Sequence, residues 1–249
     1  MIKKIGIIGG TGLEKFSLFE NQNYVELTTR YGQPSSSFLS GQLYNKDIFI
    51  LSRHGRDHTI PPTQINNRAN ILALKTLGCD VIIAITACGS LKEEIGIGDI
   101  VLPDQFIDFT RHRAISFFEA FPVGVLKHTP MADPFDESLR EAIFEVAAVN
   151  NIQCHQKGTV ITIEGPRFSS RAESFLFRSW GADIINMTTA PEVILANEME
   201  IPYAAIALST DYDCWKSDEA AVSWKEVLKV FNKNINRVTF LLQKLIERV

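Results

Sequence analysis

Five apolar, mostly β-branched runs in this chain each empty into a short cluster of glycine, hydroxyl or acidic residues, and that recurring ending restricts the fold more than any other feature. Ile5 to Ile8 ends in Gly9-Gly10-Thr11-Gly12, and Asp80 to Ile85 ends in Thr86-Ala87-Cys88-Gly89-Ser90. Gly158 to Ile163 ends in Glu164-Gly165-Pro166-Arg167-Phe168-Ser169-Ser170, and Asp183 to Met187 in Thr188-Thr189-Ala190-Pro191-Glu192. Tyr203 to Ala207 runs into Leu208-Ser209-Thr210-Asp211-Tyr212-Asp213-Cys214-Trp215. Near-continuous apolar runs mark strands covered on both faces, the habit of parallel sheets. With helical patterns between them, they predict an α/β fold: one domain, residues 1–249, built on a central mixed, largely parallel twisted sheet flanked by helices. In such sheets ligands sit outside the carboxyl ends of the strands, so these exits can meet in one crevice.

The remaining segments fill in that frame. Tyr24 to Thr28, Ser37 to Leu43 and Asp47 to Leu51 read as antiparallel strands with turns at Gly32-Gln33-Pro34 and Tyr44-Asn45-Lys46. The last of them delivers Ser52-Arg53-His54-Gly55-Arg56-Asp57-His58, a cationic, donor-rich loop suited to an oxyanion. His54 and His58 lack the helix and carboxylates a metal set would need, so no metal is expected. Thr63 is placed to cap a helix carrying Ile65, Ala69, Leu72 and Leu74 and stopping at Gly78. Gly98 to Pro103 and Gln105 to Asp108 supply further strand, and Asp136 to Asn150 has an amphipathic helical pattern. Ser170 with Glu173, Thr189 with Glu192 and Ser223 with Glu226 have capping-box spacing. The third opens a long closing helix. Thr110 to Thr129 is aromatic without a clear period and reads as a lid or a subunit contact.

A net charge of −4 without a basic cluster argues against a nucleic-acid partner, and no apolar run is long enough to span a membrane. The N-terminus has no signal-peptide pattern, and the four cysteines form no CxxC pair, which fits a reducing cytoplasm. Lys15 stands where a dinucleotide fingerprint needs its third glycine, and a Walker ending is missing. A dinucleotide oxidoreductase is thereby disfavoured.

Sorted by chemistry, the strand exits hold two groups. Thr11, Arg53, His54, the backbone of Ala87 and Thr188 are donors for an oxyanion, whereas Phe168, Met187, Asp211 and Asp213 suit a planar ring with basic nitrogens. Taken alone, either aspartate could be a turn residue bonding its own backbone.

Six of these segments together resemble the trimeric purine nucleoside phosphorylases, nearest to the branch acting on S-methyl-5′-thioadenosine: Gly9 to Gly12, Arg53 to His58, Thr86 to Ser90, Glu164 to Glu173, Asn186 to Thr188 and Thr210 to Trp215. The resemblance implies phosphate-dependent cleavage of a purine nucleoside, releasing adenine, with inorganic phosphate as co-substrate and no cofactor. It implies Thr11, Arg53, His54, Thr86, Ala87 and Thr188 around the phosphate, Met187 beneath the ribose, and Phe168 beside the base. Asp211, Asp213 and Ser169 would carry the chemistry at the base, Asp211 as the acid at N7 and Asp213 as acceptor for an exocyclic amine. Trp224, Val227 and Leu228 would line the 5′ pocket, and His128 would reach it from a neighbouring subunit, making a homotrimer. A phosphorylase for 6-oxopurine nucleosides or methylthioinosine, and a non-catalytic adenosine-binding module, remain as alternatives.

Overall fold

The structure is a computed structural model that describes residues 2–9, 19–219 and 222–249. The Gly10-Thr11-Gly12 part of the first strand exit, and with it Thr11, lies outside the described residues. In chain order the elements are β1 (Lys4–Gly9), β2 (Glu20–Val25), β3 (Phe38–Leu43), β4 (Lys46–Ser52), α1 (Asn67–Thr76), β5 (Val81–Ser90), β6 (Ile100–Val101), β7 (Gln105–Phe109), α2 (Glu137–Val149), β8 (Cys154–His155), β9 (Thr159–Ile163), α3 (Arg171–Ser179), β10 (Ile184–Asn186), α4 (Thr189–Glu198), β11 (Tyr203–Asp211) and α5 (Trp224–Arg248).

The strands form one mixed sheet that branches at β5. Residues Val81 to Ala84 of β5 pair in parallel with β1, which pairs in parallel with β4. Along most of its length β5 also pairs in parallel with β11, and at Gly89 and Ser90 it pairs antiparallel with β10. Beyond β10 lie β9 and β7, both joined in parallel. Side chains alternate across the sheet, as the pleat requires. Ile5, Ile7, Ile83 and Ile85 pack with α2 and α5 on one face, and Ile8, Ile82 and Ala84 pack with α1 and α4 on the other. A third cluster joins α3 through Phe177 to Ile161 and Ile163 of β9 and Ile185 of β10.

Several boundaries differ from the sequence expectation, each for a physical reason. The first antiparallel strand lies at Glu20–Val25 instead of 24–28, because mutual hydrogen bonds between Thr29 and Gly32 fold the chain into a tight turn there. Strand β5 runs on through Thr86 to Ser90, the residues read as its exit, because β11 and β10 take up the backbone groups that β1 leaves behind. Thr63 does not cap α1. Pro62–Gln64 forms a single 3₁₀ turn, and Asn66 caps the helix by accepting from the Ala69 amide at 3.1 Å. The helix stops where expected, at Gly78 with φ +77°.

The capping box at α3 is complete: Ser170 Oγ accepts from the Glu173 amide at 3.2 Å, and the Glu173 carboxylate accepts from the Ser170 amide at 2.7 Å. Replacing Ser170 with Ala should lower stability by about 1 kcal/mol in a denaturant titration, the ordinary cost of losing an N-cap. At α5 Ser223 Oγ accepts from the Glu226 amide at 3.3 Å, while the Glu226 carboxylate accepts from Lys229 at 3.2 Å, so this is a simple cap and not the full box expected. The box expected from Thr189 and Glu192 is absent: the N-cap of α4 is Thr188 without a side-chain cap, and Glu192 is turned into the core.

Candidate active site

A cavity of about 470 Å³ opens where β5 parts from β1 and turns toward β10. Its wall takes Arg53 and His54 from the exit of β4, Thr86 and Ala87 from β5, and Phe168 and Ser169 from the loop after β9. Met187 and Thr188 come from the turn into α4, Asp211 and Asp213 from the end of β11, and Trp224, Val227 and Leu228 from the first turns of α5. Of the described residues singled out in the sequence, only His128 is elsewhere. It lies with Phe118, Phe121 and Glu198 in a separate hollow of about 350 Å³, formed by the aromatic segment after β7.

Part of the cavity wall gathers hydroxyl and guanidinium donors. Thr86 and Thr188 hydroxyls approach within 3.4 Å of each other, and Asn186 donates to Thr86 Oγ1 at 3.2 Å. The first amides of α4 are not free, as a bare helix N-terminus would leave them: Asn186 Oδ1 accepts from Thr188 and Thr189, and Thr162 Oγ1 accepts from Ala190. Thr86 and Thr188, which line the cavity, therefore bring hydroxyls to it in place of free helix amides. Arg53 is 2 % exposed, and its guanidinium donates to Glu192 at 2.5 and 3.0 Å and to the Ile85 carbonyl at 2.8 Å. Burial pulls its pKa down, but the Glu192 charge and hydrogen bonds more than offset this.

His54 departs from the expectation of a donor. Its Nδ1 lies 2.8 Å from the Ile60 carbonyl, which only accepts, so Nδ1 carries the ring proton. Burial, reinforced by the Arg53 charge, lowers its pKa to about 4. The neutral ring then offers Nε2 to the site as an acceptor.

The same wall carries the two aspartates. Asp211 Oδ1 accepts from the Asp213 amide at 2.8 Å, so the turn-forming reading is correct as far as it goes, yet both residues also line the cavity. Burial is the main cause that raises the Asp211 pKa to about 6. Thr210 Oγ1, which also lies 3.1 Å from the Cys88 carbonyl, donates to Asp211 Oδ2 at 2.8 Å, and this bond and the one from the Asp213 amide lower the pKa against the larger effect of burial. Asp213, 6 % exposed and at φ +49°, is likewise raised by burial, against the lowering effect of the Ser174 and Ser169 hydroxyls.

Four residues were not visible as site residues in the sequence. Glu192 anchors Arg53. Arg113 donates to the Met187 and Glu164 carbonyls at 2.5 Å each, tying the aromatic segment to two strand exits. Ser174 of α3 faces Asp213 from beneath the loop. Gly89 leaves room for the acid: a Cβ there would lie 2.8 Å from Asp211 Oδ1 and 3.0 Å from Ile185 Cγ2. Gly89→Ala should lower kcat roughly tenfold to a hundredfold by displacing that carboxyl, and lower stability by about 1 to 3 kcal/mol through crowding against Ile185. Steady-state kinetics beside a melting curve would check it. Each of the four contacts joins residues far apart in the chain or depends on space, so no spacing or motif signals it.

The mixed, largely parallel sheet, with helices on both faces and a cavity at its strand ends, is the architecture of a nucleoside phosphorylase. The family description Phosphorylase superfamily matches residues 4–247, and the chain belongs to that family. Over 99 % of its length it is 51 % identical to S-methyl-5′-thioadenosine phosphorylase of Danio rerio and 52 % identical to that of Xenopus tropicalis, covering 89 % of each. Methylthioadenosine phosphorylase from Schistosoma mansoni, solved in complex with adenine, superposes with a TM-score of 0.92 at 40 % identity, over 98 % of this chain and 91 % of that one. A single-residue mutant of the Schistosoma enzyme, solved in complex with methylthioadenosine, gives 0.91 at 39 % identity, over 98 % and 90 %.

Proposed function

We propose that the chain cleaves the N-glycosidic bond of S-methyl-5′-thioadenosine with phosphate, giving adenine and 5-methylthioribose 1-phosphate. The observation that carries this is one cavity lined both by the Arg53 guanidinium with the Thr86 and Thr188 hydroxyls and by Asp211 and the buried Asp213. The relatives' shared activity supports the same reading.

Phosphate rests on the remaining Arg53 N–H groups, the Thr86 and Thr188 hydroxyls and the backbone of Ala87, with Thr11 added from the first strand exit. His54 Nε2 accepts from a protonated phosphate oxygen. Met187 lies under the ribose and Phe168 against the purine. As a phosphate oxygen approaches the anomeric carbon and the bond to N9 lengthens, the sugar gains oxocarbenium character beside the anion, and charge collects on the purine. Asp211 passes its proton to N7. Asp213, steadied by Ser169, accepts from the 6-amino group; an ionised carboxylate repels a 6-oxo group in that place. Trp224, Val227 and Leu228 receive the methylthio group, and His128 completes this end from a neighbouring copy in a homotrimer. Phosphate is a co-substrate and no cofactor takes part.

The test compares turnover of methylthioadenosine, adenosine and methylthioinosine by the purified protein. Methylthioadenosine should be cleaved fastest. Turnover of methylthioinosine at an equal or higher rate would overturn the amine recognition, and no turnover of any of the three would leave a binding module.

A further inference from the structure

Arg53 can serve an anion only if something inside the protein holds its guanidinium in place, and the residue that does so stands outside the cavity. Glu192 is fully buried at 0 % exposure, on the first turn of α4. Its Oε1 accepts from Arg53 Nε at 2.5 Å and its Oε2 from Arg53 Nη2 at 3.0 Å, while the Tyr203 hydroxyl, on β11, donates to Oε2 at 2.9 Å. Tyr203 is itself buried, at 1 %. Arg53 Nη1 donates to Ile85 of β5. Four elements thus converge on one ion pair: the exit of β4 and β5 through Arg53, and α4 and β11 through Glu192.

The donor count shows what this arrangement leaves. A guanidinium has five N–H groups, of which Glu192 takes two and Ile85 one. Among the described residues, one N–H on each of Nη1 and Nη2 is left without a partner, and Arg53 lines the cavity, where such charged donors can hold an oxyanion. A fork bound on its other edge cannot rotate to follow a misplaced ligand. A buried ion pair is a poor source of net stability, because desolvation costs about as much as the attraction returns. Its use here lies in orientation. Helix α4 also begins with Thr188, so the same element that holds the carboxylate sets one of the hydroxyls beside the anion.

We propose that Glu192 is the positioning residue for phosphate: through its two-point bond to Arg53, and with Tyr203 behind it, it fixes the direction of the two free guanidinium N–H groups. This rests on the reading of Arg53 as a phosphate ligand given above. Glu192 touches neither substrate, and its effect passes through Arg53 alone.

The experiment is a double-mutant cycle on the full-length protein, with kcat/KM for phosphate and the dissociation constant for adenine without phosphate measured for each variant. Glu192→Gln, whose amide turns a donor against the guanidinium, should lower kcat/KM for phosphate at least roughly tenfold and leave adenine binding within about twofold. Glu192→Asp should recover part of the loss. In an Arg53→Gln background the Glu192→Gln change should cost nothing more. Tyr203→Phe leaves the ion pair intact and should cost roughly threefold, which keeps the test open if Glu192→Gln does not fold. An equal cost with and without Arg53, a parallel loss of adenine binding, or no effect of Tyr203→Phe in a folded protein would overturn the proposal. If Arg53→Gln itself left the KM for phosphate unchanged, the phosphate reading of Arg53 would fall and this inference with it. If Arg53→Gln raised that KM and Glu192→Gln did nothing, only the inference would fall.

Discussion

Asp211→Asn should lower kcat by roughly 10² to 10⁴ and, above pH 6, make the protein more stable than the parent. Both effects come from the same burial. With a pKa lifted from 3.8 to about 6, the carboxyl keeps its proton over a range in which an exposed aspartate has lost it, and so can donate to N7. The linkage runs in one direction. A folded-state pKa above the unfolded value gives stability that is complete below pH 3.8 and is lost as the pH rises through about 6. At pH 7 the ionised group therefore costs the folded protein up to about 3 kcal/mol, which the neutral amide removes. In urea titrations at several pH values, the gain from Asp211→Asn should be largest at pH 7 to 8 and shrink toward pH 4. The pH profile of kcat should also fall on its alkaline side in the parent enzyme and lose that limb in the variant. A variant that loses activity and is less stable at pH 8 would show that Asp211 is not a strained acid.

Arg53→Gln has the second large effect, and it acts on both stability and phosphate. Removing the cation leaves Glu192 buried at 0 % exposure with the Tyr203 hydroxyl as its remaining hydrogen-bond donor of those described above. Breaking one side of such a pair typically costs about 3 to 5 kcal/mol, mostly from the charge left unpaired. Adding Glu192→Gln removes that charge and should return much of the stability without returning activity. Phosphate KM should rise roughly a hundredfold or more in the single variant, because a charged, two-point donor is lost. Denaturant midpoints and phosphate saturation curves read the two effects separately. A single variant as stable as the parent would mean that the Arg53 and Glu192 charges are not coupled in solution.

What could be read from the sequence was what is local. The runs Ile5 to Ile8, Val81 to Ile85 and Tyr203 to Ala207 carry their two-sided burial in their composition, so these sheet strands were legible from pattern, although β5 and β11 continue to Ser90 and Asp211, past the exits read for them. Cavity residues such as Arg53, Thr86, Met187 and Asp211 were found because each sits where an apolar run ends. Glu192 was misread because three-residue spacing from Thr189 is a good local cap signal, whereas its partner lies 139 residues away. His54 had the expected place but the opposite hydrogen-bonding sense, since the Ile60 carbonyl that sets its tautomer is brought in by the fold. Thr63, read as the cap of α1, falls inside the 3₁₀ turn Pro62–Gln64, and the helix starts later, capped by Asn66. His128 stands apart from the cavity of its own chain, in the hollow beside Phe121 and Glu198. No pattern within one chain states where a second copy would place it.

The central claim is that phosphate, and not water, attacks the sugar. Phosphorus NMR of a reaction holding methylthioadenosine and inorganic phosphate, followed alongside adenine absorbance, addresses it directly. The account predicts one sugar 1-phosphate ester formed for each adenine released, with no release when phosphate is left out. Adenine released without a matching phosphate ester, or at the same rate in its absence, would contradict it.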